Sequence, residues 1–315
     1  MSRILVSILL LLSIVSCRPV YFSETVVYST TIEKPEKVIR LDLSGQSLKS
    51  LPTDFSSYTE LKYINLSNNP DLDFEGVEDH LTALKQLQVL RLDSNKLTEL
   101  PTWINQVEGL KNLSLVNNPA LNIEAAFSRL KTLNELQKLN LSQNNLSELP
   151  ENIINLKQLK NLRLSHNNIN SGISFKRLSG LQQLKFLWLD NNDIKKLPAE
   201  IGALTQISEL YLGNNKLDAL PTEILACKKL HILYLGNNKF KELPAEILDM
   251  KIYLLSIYGN EIREIPIAYK KMKTPMKILI LDNNLLNEEQ QIRARKFFTG
   301  FFVLSLENQR QSTVN

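Results

Sequence analysis

The sequence predicts an α/β solenoid of about eleven or twelve stacked repeats, with one parallel sheet on a concave side and irregular or short helical segments on a convex side. Two observations predict this fold. The pattern LxxLxLxxNxL starts eleven times between Val38 and Met276, at steps of 22 to 26 residues. Within each copy, apolar residues alternate with other residues, which is the period of a β-strand. A fixed period of this length indicates stacked units that share one core.

Each repeat is predicted to contribute one strand and one turn. In Leu210-Tyr211-Leu212 the two leucines face the core, and the residue between them faces outward. An asparagine follows where the strand turns, and its amide is suited to bond backbone groups that the turn leaves unpaired. Stacked asparagines therefore predict an interior polar ladder with a structural role. Its members are Asn69, Asn95, Asn118, Asn144, Asn167, Asn192, Asn215, Asn238, Asn260 and Asn284.

The segments that return the chain to the next strand are of two kinds. Most repeats carry a Leu-Pro pair and then an apolar residue, as in Leu197-Pro198-Ala199-Glu200-Ile201. The proline fixes φ and cannot continue a strand, so the pair predicts the start of the returning segment. Apolar residues recur every three to four positions over residues 73–84 and 122–133, which predicts short helices there. The repeats that lack the Leu-Pro pair and are longer or irregular start at Leu61, Leu110 and Leu159.

These repeats resemble a known family. Units of 23 residues that continue into Leu-Pro, such as Leu220-Pro221-Thr222-Glu223-Ile224, are similar to leucine-rich repeats of the bacterial and intracellular type. The opening stretch, residues 35–46, resembles the first repeat of bacterial leucine-rich-repeat lipoproteins. The resemblance implies a curved horseshoe with the parallel sheet on its concave side. It implies no particular partner, because one fold serves many functions.

The first seventeen residues follow a different pattern. Arg3 supplies a positive start, and Ile4 to Val15 is an apolar run of 12 residues that only two serines interrupt. This run predicts a secretory signal, since a membrane span needs about 20 apolar residues. Its end, Ile14-Val15-Ser16-Cys17, resembles the lipobox of bacterial lipoproteins, which implies cleavage before Cys17 and lipidation of its thiol. The alternative is an ordinary signal peptide with a cysteine near its cut site.

The predicted organisation has four parts. Residues 1–16 are the signal peptide, and 17–37 are a lipid-anchored tether and N-terminal cap. Residues 38–286 are the leucine-rich repeats, and 287–315 are a C-terminal cap and tail, because a solenoid needs sealed ends. The C-terminal cap is expected to begin with a helix at Asn287, with acidic residues in its first turn and basic residues late in it. Candidates to cover the first strand are Val26, Val27 and Ile32.

Neither catalysis nor a cofactor is indicated. The sequence has no GxxxxGK[ST] phosphate-binding loop and no GxSxG nucleophile elbow, and about 29 residues after Leu286 leave little room for a catalytic domain. Cys227 stands at a repeat position that apolar residues hold elsewhere, which predicts a small buried hydrophobe. We therefore expect no enzyme, no cofactor and no metal site. The histidines lie in different repeats without ligand spacing and are predicted surface residues: His80, His166 and His231.

Charge narrows the class of partner. The 315-residue chain is 43% hydrophobic and 22% charged, with a formal net charge of +4, which is no signature of nucleic-acid binding. One basic cluster lies near the C-terminus. Two interpretations of it stay open: a solvated face beside the cap, or a face that favours an anionic surface. Its members are Lys270, Lys271, Lys273, Lys277, Arg293, Arg295 and Lys296.

The outward-facing strand residues predict where a partner binds. Those between the two leucines of LxL are polar in the first six repeats and aromatic in the next three. Adjacent strands lie about 4.8 Å apart, so these side chains and their outward neighbours are predicted to form one apolar patch. The neighbours include Ile232, Leu254 and Ile278. The predicted partner-binding residues are Phe186, Trp188, Tyr211, Tyr234 and Tyr258, with Arg163 and Asp190 as their polar rim.

An alternative to this patch also follows from the repeat type. Tyrosine is common between the leucines of such repeats, and the C-terminal cap is a candidate cover for Leu254, Ile278 and Ile280. On this alternative the aromatic residues belong to the repeat pattern and mark no partner site.

Three functions stay open on the sequence. The first is a lipid-anchored, envelope-exposed module that binds a protein or peptide on its concave face. The second is a structural envelope or glycan-binding lipoprotein without a defined protein partner, and the third is the recognition subunit of an enzyme on another chain. Arg18 follows the cysteine where, in many diderm bacteria, an aspartate signals retention at the inner membrane. An outer-membrane or cell-surface location is therefore the expectation.

Overall fold

A computed structural model describes residue 27 and residues 32–51, 55–272 and 275–310. The chain divides into two compact units at the peptide between Leu141 and Ser142, called unit 1 and unit 2 here. Both units are built from the repeats that the sequence predicts. Cys17 and the predicted signal peptide lie outside the described residues.

Each repeat forms a strand of three residues, and neighbouring strands run parallel. The pairing joins β1 to β5 in chain order in unit 1 and β6 to β12 in chain order in unit 2. Twelve strands in the described residues confirm the predicted α/β leucine-rich-repeat solenoid. The bounds are β1 Arg40–Asp42, β2 Tyr63–Asn65, β3 Val89–Arg91, β4 Asn112–Ser114, β5 Lys138–Asn140, β6 Asn161–Arg163, β7 Phe186–Trp188, β8 Glu209–Tyr211, β9 Ile232–Tyr234, β10 Leu254–Ser256, β11 Ile278–Ile280 and β12 Val303–Ser305.

The leucines of the LxL motif form the core, as predicted. Leu90 and Leu92 are fully buried in unit 1, and Leu210 and Leu212 are fully buried in unit 2. Tyr211, between the last two, is only half-buried. This alternation follows because successive side chains of a strand point to opposite faces. Each fully buried leucine contributes about 1.5–3 kcal/mol of hydrophobic stabilisation, repeated from one strand to the next.

The predicted asparagine ladder is confirmed. The Asn215 Nδ2 group donates to the carbonyls of Leu189 and Leu212, each at 3.0 Å. The Asn215 Oδ1 atom accepts the backbone N–H groups of Asn192 and Ile194, at 2.9 and 3.1 Å. One side chain thus satisfies backbone groups of two consecutive repeats, as a buried turn requires. All ten ladder asparagines are buried.

The residue before a ladder asparagine often has a left-handed backbone conformation. The φ angle is 52° at Asn214 and 54° at Asn237, a region that asparagine enters more readily than most residues with a side chain. His166 holds the same place with a φ of 58° and is exposed. In the pairs Asn214-Asn215 and Asn237-Asn238, therefore, the first residue sets the turn and the second joins the ladder.

Three repeats return through short α-helices. The two helices predicted in unit 1 are present as α1, Glu78–Thr82, and α2, Ile123–Leu130. The helix α3, Gly172–Leu178, is an addition that the sequence pattern did not predict. Asn122 caps α2, because its Oδ1 atom accepts the backbone N–H of Ala125 at 3.1 Å.

The remaining repeats return through 3₁₀-helical turns that mostly begin directly after a proline. Most of these turns contain one fully buried apolar or aromatic residue, such as Ile224 or Ile247. The leucine-proline pairs therefore pin the outer segments to the core. The turns are Thr102–Gln106, Glu151–Asn155, Ala199–Ala203, Thr222–Ala226, Ala245–Asp249 and Ile267–Lys271, with two shorter ones at Pro35–Lys37 and Phe55–Ser57.

Both ends of the described repeats carry additional elements. The Val27 N–H donates to the Arg40 carbonyl at 3.0 Å, and the Val27 carbonyl accepts from the Asp42 N–H at 2.8 Å. At the other end, α4 spans Glu288–Phe297, and the Oδ1 atom of Asn287 accepts a backbone hydrogen bond from its first turn at 2.9 Å. β12 follows this helix and pairs with β11. None of the described helices has the length and apolar character needed to cross a bilayer.

Candidate partner-binding surface

The outward-facing aromatic residues of unit 2 form a stacked row. Trp188, Tyr211 and Tyr234 hold equivalent positions on β7, β8 and β9, and the strand register sets each beside the next. The ring centroids are 4.8 Å apart from Trp188 to Tyr211 and 4.6 Å apart from Tyr211 to Tyr234, with interplanar angles of 10° and 11°. We call these three residues the aromatic ladder. Phe186 adds a ring on β7, 6.4 Å from that of Trp188.

Arg163 lies against one end of the aromatic ladder. Its guanidinium carbon is 4.6 Å from the centroid of the Trp188 ring, and β6 pairs with β7 so that the two residues are neighbours. This is a cation–π contact. Because Tyr211 occupies the other neighbouring strand, Trp188 is enclosed on both faces. The structure thus places Arg163, a predicted rim residue, directly against the predicted aromatic residues.

Glu209 belongs to this surface and was not predicted from the sequence. It faces outward from β8, where its Oε2 atom accepts the Tyr211 hydroxyl at 2.7 Å, and it is buried. Burial, together with the negative charges of Glu209 and Asp190, raises the pKa of Tyr234, so that hydroxyl stays a donor. Its position in the repeat would have indicated that Glu209 faces outward, because it precedes an inward leucine just as Phe186 does.

Asp190 has a backbone partner in the next repeat. Its Oδ1 atom accepts the Gly213 N–H at 2.9 Å, and its Oδ2 atom accepts the Ser165 hydroxyl at 3.3 Å. Asp93 and Asp282 accept the equivalent N–H groups of their neighbouring repeats. Burial raises the pKa of Asp190, although its hydrogen bonds act in the opposite direction. The Asp190 carboxylate therefore links neighbouring repeats. Because the side chain is half-buried, only part of it is accessible to a partner at the rim of the surface.

Tyr258 reaches over a glycine of the preceding repeat. A Cβ atom placed on Gly236 would collide with the Tyr258 ring, and one placed on Gly213 would lie 2.9 Å from the Asp190 Oδ1 atom. The two glycines are therefore required by the side chains that lie over them. Neither role could be predicted from the sequence, because a glycine after a strand is typical of any turn.

Comparisons with known proteins bear on the fold. Residues 162–253 match the family described as a leucine-rich repeat region, and residues 135–156 match the leucine rich repeat family. The chain contains leucine-rich repeats. Among solved structures it is similar to an internalin of Listeria monocytogenes, with a TM-score of 0.63 and 20% identity over 89% of this chain and 84% of that chain.

A second solved structure is a leucine-rich-repeat protein of Leptospira interrogans, with a TM-score of 0.41 and 25% identity over 87% of this chain and 98% of that chain. No curated protein matches the sequence. The leucine-rich-repeat fold suggests a protein-interaction module, because stacked repeats present an extended surface. Proteins with this fold are typically non-enzymatic.

In unit 1 of this leucine-rich-repeat protein, the residues between the two leucines of each strand are polar and bond to neighbouring side chains. The Asn65 Nδ2 group donates to Asp42 at 3.0 Å, and the Arg91 guanidinium forms a salt bridge with Asp93 at 2.8 Å. The Ser114 hydroxyl donates to the same carboxylate at 2.5 Å. A partner on this face would have to break or share these bonds, whereas ring surface can be covered without that cost.

Part of the predicted apolar patch is not accessible. Leu254, Ile278 and Ile280 hold outward positions on β10 and β11, yet they are only 0%, 6% and 2% exposed. The prediction that the patch continues through Leu254 and Ile278 was therefore wrong. An outward direction does not by itself expose a side chain, because side chains on adjacent strands lie about 4.8 Å away. Tyr234, a predicted partner-binding residue, is likewise only 7% exposed. Accessible apolar surface is therefore left at Trp188 and Tyr211, with Phe186 and Ile232 half-buried beside them.

The potential metal ligands are dispersed. Within the described ranges, no group of three or more His, Cys, Asp or Glu side chains is placed to hold a metal ion. Cys227 is buried, and burial raises its pKa to about 11, as suits the predicted small hydrophobe. His166 and His231 are exposed as predicted. For His80 the prediction was wrong, because its ring is half-buried with its centroid 6.2 Å from that of Phe55.

A groove of about 720 Å³ lies in unit 1, at the segments that lead into its strands. Its charged lining residues are Lys85, Glu108 and Glu135, with amides and backbone between them. A lining of mixed charge without a nucleophile and base pair gives no catalytic arrangement. The aromatic ladder is therefore the candidate functional surface.

Proposed function

We propose that this leucine-rich-repeat protein is a lipid-anchored, envelope-exposed module that binds a protein or peptide on the sheet face of unit 2. The observation that carries the proposal is the aromatic ladder with Arg163 against Trp188. Tryptophan, tyrosine and arginine are the side chains that most often dominate the energy of protein interfaces. Half-exposed Phe186 and Ile232 extend this surface by apolar area.

The stacking of the rings favours a polypeptide over a glycan. Sugars bind aromatic side chains by lying flat against an open ring face. Arg163 and Tyr211 flank Trp188, while Trp188 and Tyr234 flank Tyr211, so these faces are already occupied. Ring edges carry positive partial charge and suit the carbonyl groups and aromatic rings of a polypeptide. This supports the protein-binding hypothesis over the glycan-binding one.

Photocrosslinking on intact cells tests the partner site. A benzophenone amino acid replaces Phe186 in one variant and Tyr63 of β2 in a matched control, since both residues are half-buried and outward-facing. We expect a defined crosslinked protein from position 186 only, and its loss when Trp188→Ala is added. Equal products from both positions, or no protein product from position 186, would contradict the proposal. An enzyme as the captured protein would favour the recognition-subunit hypothesis.

The anchor is a separate part of the proposal and rests on the sequence around Cys17. The diacylglyceryl group and the amide-linked chain of the lipoprotein family would hold the protein durably, at about 0.8 kcal/mol per buried CH₂ group. Cys17→Ala should release the protein into the soluble fraction, whereas Cys227→Ala should leave it with the membrane. If Cys17→Ala stays membrane-bound and the parent takes up no labelled fatty acid, the anchor is wrong and the partner site is unaffected.

A further inference from the structure

A row of exposed residues lies where the chain enters β9 to β12 of unit 2. The Tyr253 N–H donates to the His231 carbonyl at 2.7 Å, the Lys277 N–H to the Tyr253 carbonyl at 2.9 Å, and the Phe302 N–H to the Lys277 carbonyl at 2.8 Å. These bonds set the four residues side by side on consecutive repeats. All four are exposed, and the exposed fraction reaches 83% at Phe302 and 42% at Tyr253. We call this row the entry edge.

The charge around the entry edge is one-sided. The described segments that lead into these strands, residues 227–231, 250–253, 275–277 and 298–302, contain no aspartate or glutamate. The acidic residue closest to them along the chain is Asp249, the last residue of the turn before β10. The exposed basic side chains in these segments and at the ends of the elements before them are Lys228, Lys229, Lys251, Lys270, Lys271, Lys277, Arg295 and Lys296.

None of these eight basic side chains forms a salt bridge with any residue that the structure describes. The corresponding segments of unit 1 differ. There Lys111, which leads into β4, pairs with Glu135 at 3.6 Å, and Glu60 precedes β2. The positive charge of the entry edge is therefore a property of the last repeats and is not imposed by the repeat pattern.

We propose that the entry edge contacts the surface of an anionic lipid bilayer. Lysine side chains are attracted to the negative potential of anionic headgroups, and exposed aromatic side chains settle at the boundary between headgroups and acyl chains. Phe302 and Tyr253 supply the aromatic side chains between lysines. A purely acidic polymer or protein would give no reason to expose Phe302 so fully, whereas a bilayer surface uses both features.

This contact is distinct from the acyl anchor and from the partner site. The aromatic ladder occupies the sheet face, while the entry edge lies at the point where the strands begin, so both can be engaged together. The contact also provides a second membrane attachment beside the acyl anchor.

A fluorescent probe at Phe302 tests the contact on the complete chain bound to vesicles. Phe302→Cys is labelled with a nitrobenzoxadiazole thiol reagent. Cys17 carries the proposed acyl anchor, and Cys227 is buried with its pKa raised to about 11, so neither should react, and the labelled parent gives the blank. Ala219→Cys carries the control label, because Ala219 is exposed after β8 on the other side of the repeats. The vesicles contain a headgroup-nitroxide lipid, with or without phosphatidylglycerol.

We expect quenching of the label at position 302, but not at 219, and only when phosphatidylglycerol is present. Lys228→Gln, Lys251→Gln and Lys277→Gln together should weaken the contact by roughly a hundredfold and abolish the quenching. The matched triple variant Lys195→Gln, Lys196→Gln and Lys239→Gln removes the same charge after the strands and should preserve it. Equal quenching at both labels, quenching without phosphatidylglycerol, or equal effects of the two triple variants would overturn the proposal.

Discussion

The Trp188 and Tyr211 rings stack face to face between β7 and β8, with centroids 4.8 Å apart and planes 10° apart. The ring spacing matches the distance between strands, so the backbone register holds the rings in place. Side chains fixed in this way lose little rotamer freedom when a partner covers them. The ladder is therefore a preorganised surface.

Truncation of Trp188 should weaken partner binding and preserve the fold. Trp188→Ala removes the ring between Arg163 and Tyr211, and we expect a loss of about 2 kcal/mol, roughly a thirtyfold rise in Kd for the crosslinked partner. Titration calorimetry measures the affinity, and circular dichroism checks the fold. Arg91→Ala on unit 1 is the control and should bind as the parent does. Normal affinity of Trp188→Ala with reduced affinity of Arg91→Ala would move the site to the polar face.

Gly236 should be sensitive to a single added methyl group. Gly236→Ala places a Cβ atom in the Tyr258 ring, so the ring or the turn must shift. We expect a decrease of about 1–3 kcal/mol in the free energy of unfolding, as for other overpacked sites. Chemical denaturation of the parent and the variant gives this value.

A double-mutant cycle assigns the effect to Tyr258. In a Tyr258→Ala background, Gly236→Ala should cost much less, because the colliding ring is gone. The same cost in both backgrounds would mean that the glycine is needed for the turn itself and not for the tyrosine.

The repeat fold could be predicted because its determinants recur locally. Leu210, Leu212 and Asn215 stand at fixed spacing in one repeat, and the same spacing returns in the others. Each member of the pattern then meets its own counterpart on the next strand. The helix α3 escaped prediction, because the irregular repeat that contains it has no apolar period strong enough to indicate a helix.

The candidate site could be predicted only in outline. Outward positions follow from strand alternation, which correctly brought Trp188, Tyr211 and Tyr234 together. Burial on the outward face depends on side chains from other repeats, so the inaccessibility of Leu254 did not follow from strand alternation. The backbone bond from Gly213 to Asp190 likewise joins residues 23 positions apart and has no local signature.

The shared core should not tolerate a charge. Leu212→Asp would place a carboxylate among fully buried leucines without a partner, and we expect the cooperative unfolding transition of unit 2 to be lost. Lys195→Ala, at an exposed position, should change the free energy of unfolding by less than about 0.5 kcal/mol. Thermal melts compare the two. Equal midpoints would contradict the assignment of inward and outward residues in these repeats.

Asp190 and Asp42 should change the free energy of unfolding in opposite directions as the pH falls into the acidic range. In the folded chain, burial raises the pKa of Asp190 above 3.8. For Asp42 burial acts in the same direction, but hydrogen bonds from the Ser44 hydroxyl and N–H and from Asn65 outweigh it and lower the pKa. Because stability rises with pH wherever the unfolded chain binds more protons, the two residues must act in opposite directions.

Folded Asp190 binds its proton more tightly than unfolded Asp190, so it contributes stability that is fully present below 3.8 and is lost as pH rises through the folded pKa. Asp42 contributes stability that is present above 3.8 and is lost as pH falls through its lowered folded pKa. Denaturant unfolding of the parent, Asp190→Asn and Asp42→Asn across a series of acidic pH values measures both terms. As pH falls, the parent should gain stability relative to Asp190→Asn and lose it relative to Asp42→Asn. Asparagine keeps an acceptor oxygen for Gly213 or Ser44, so the comparison isolates the charge. If both differences change in the same direction, the Asp190 carboxyl group is not held in the buried environment that raises its pKa.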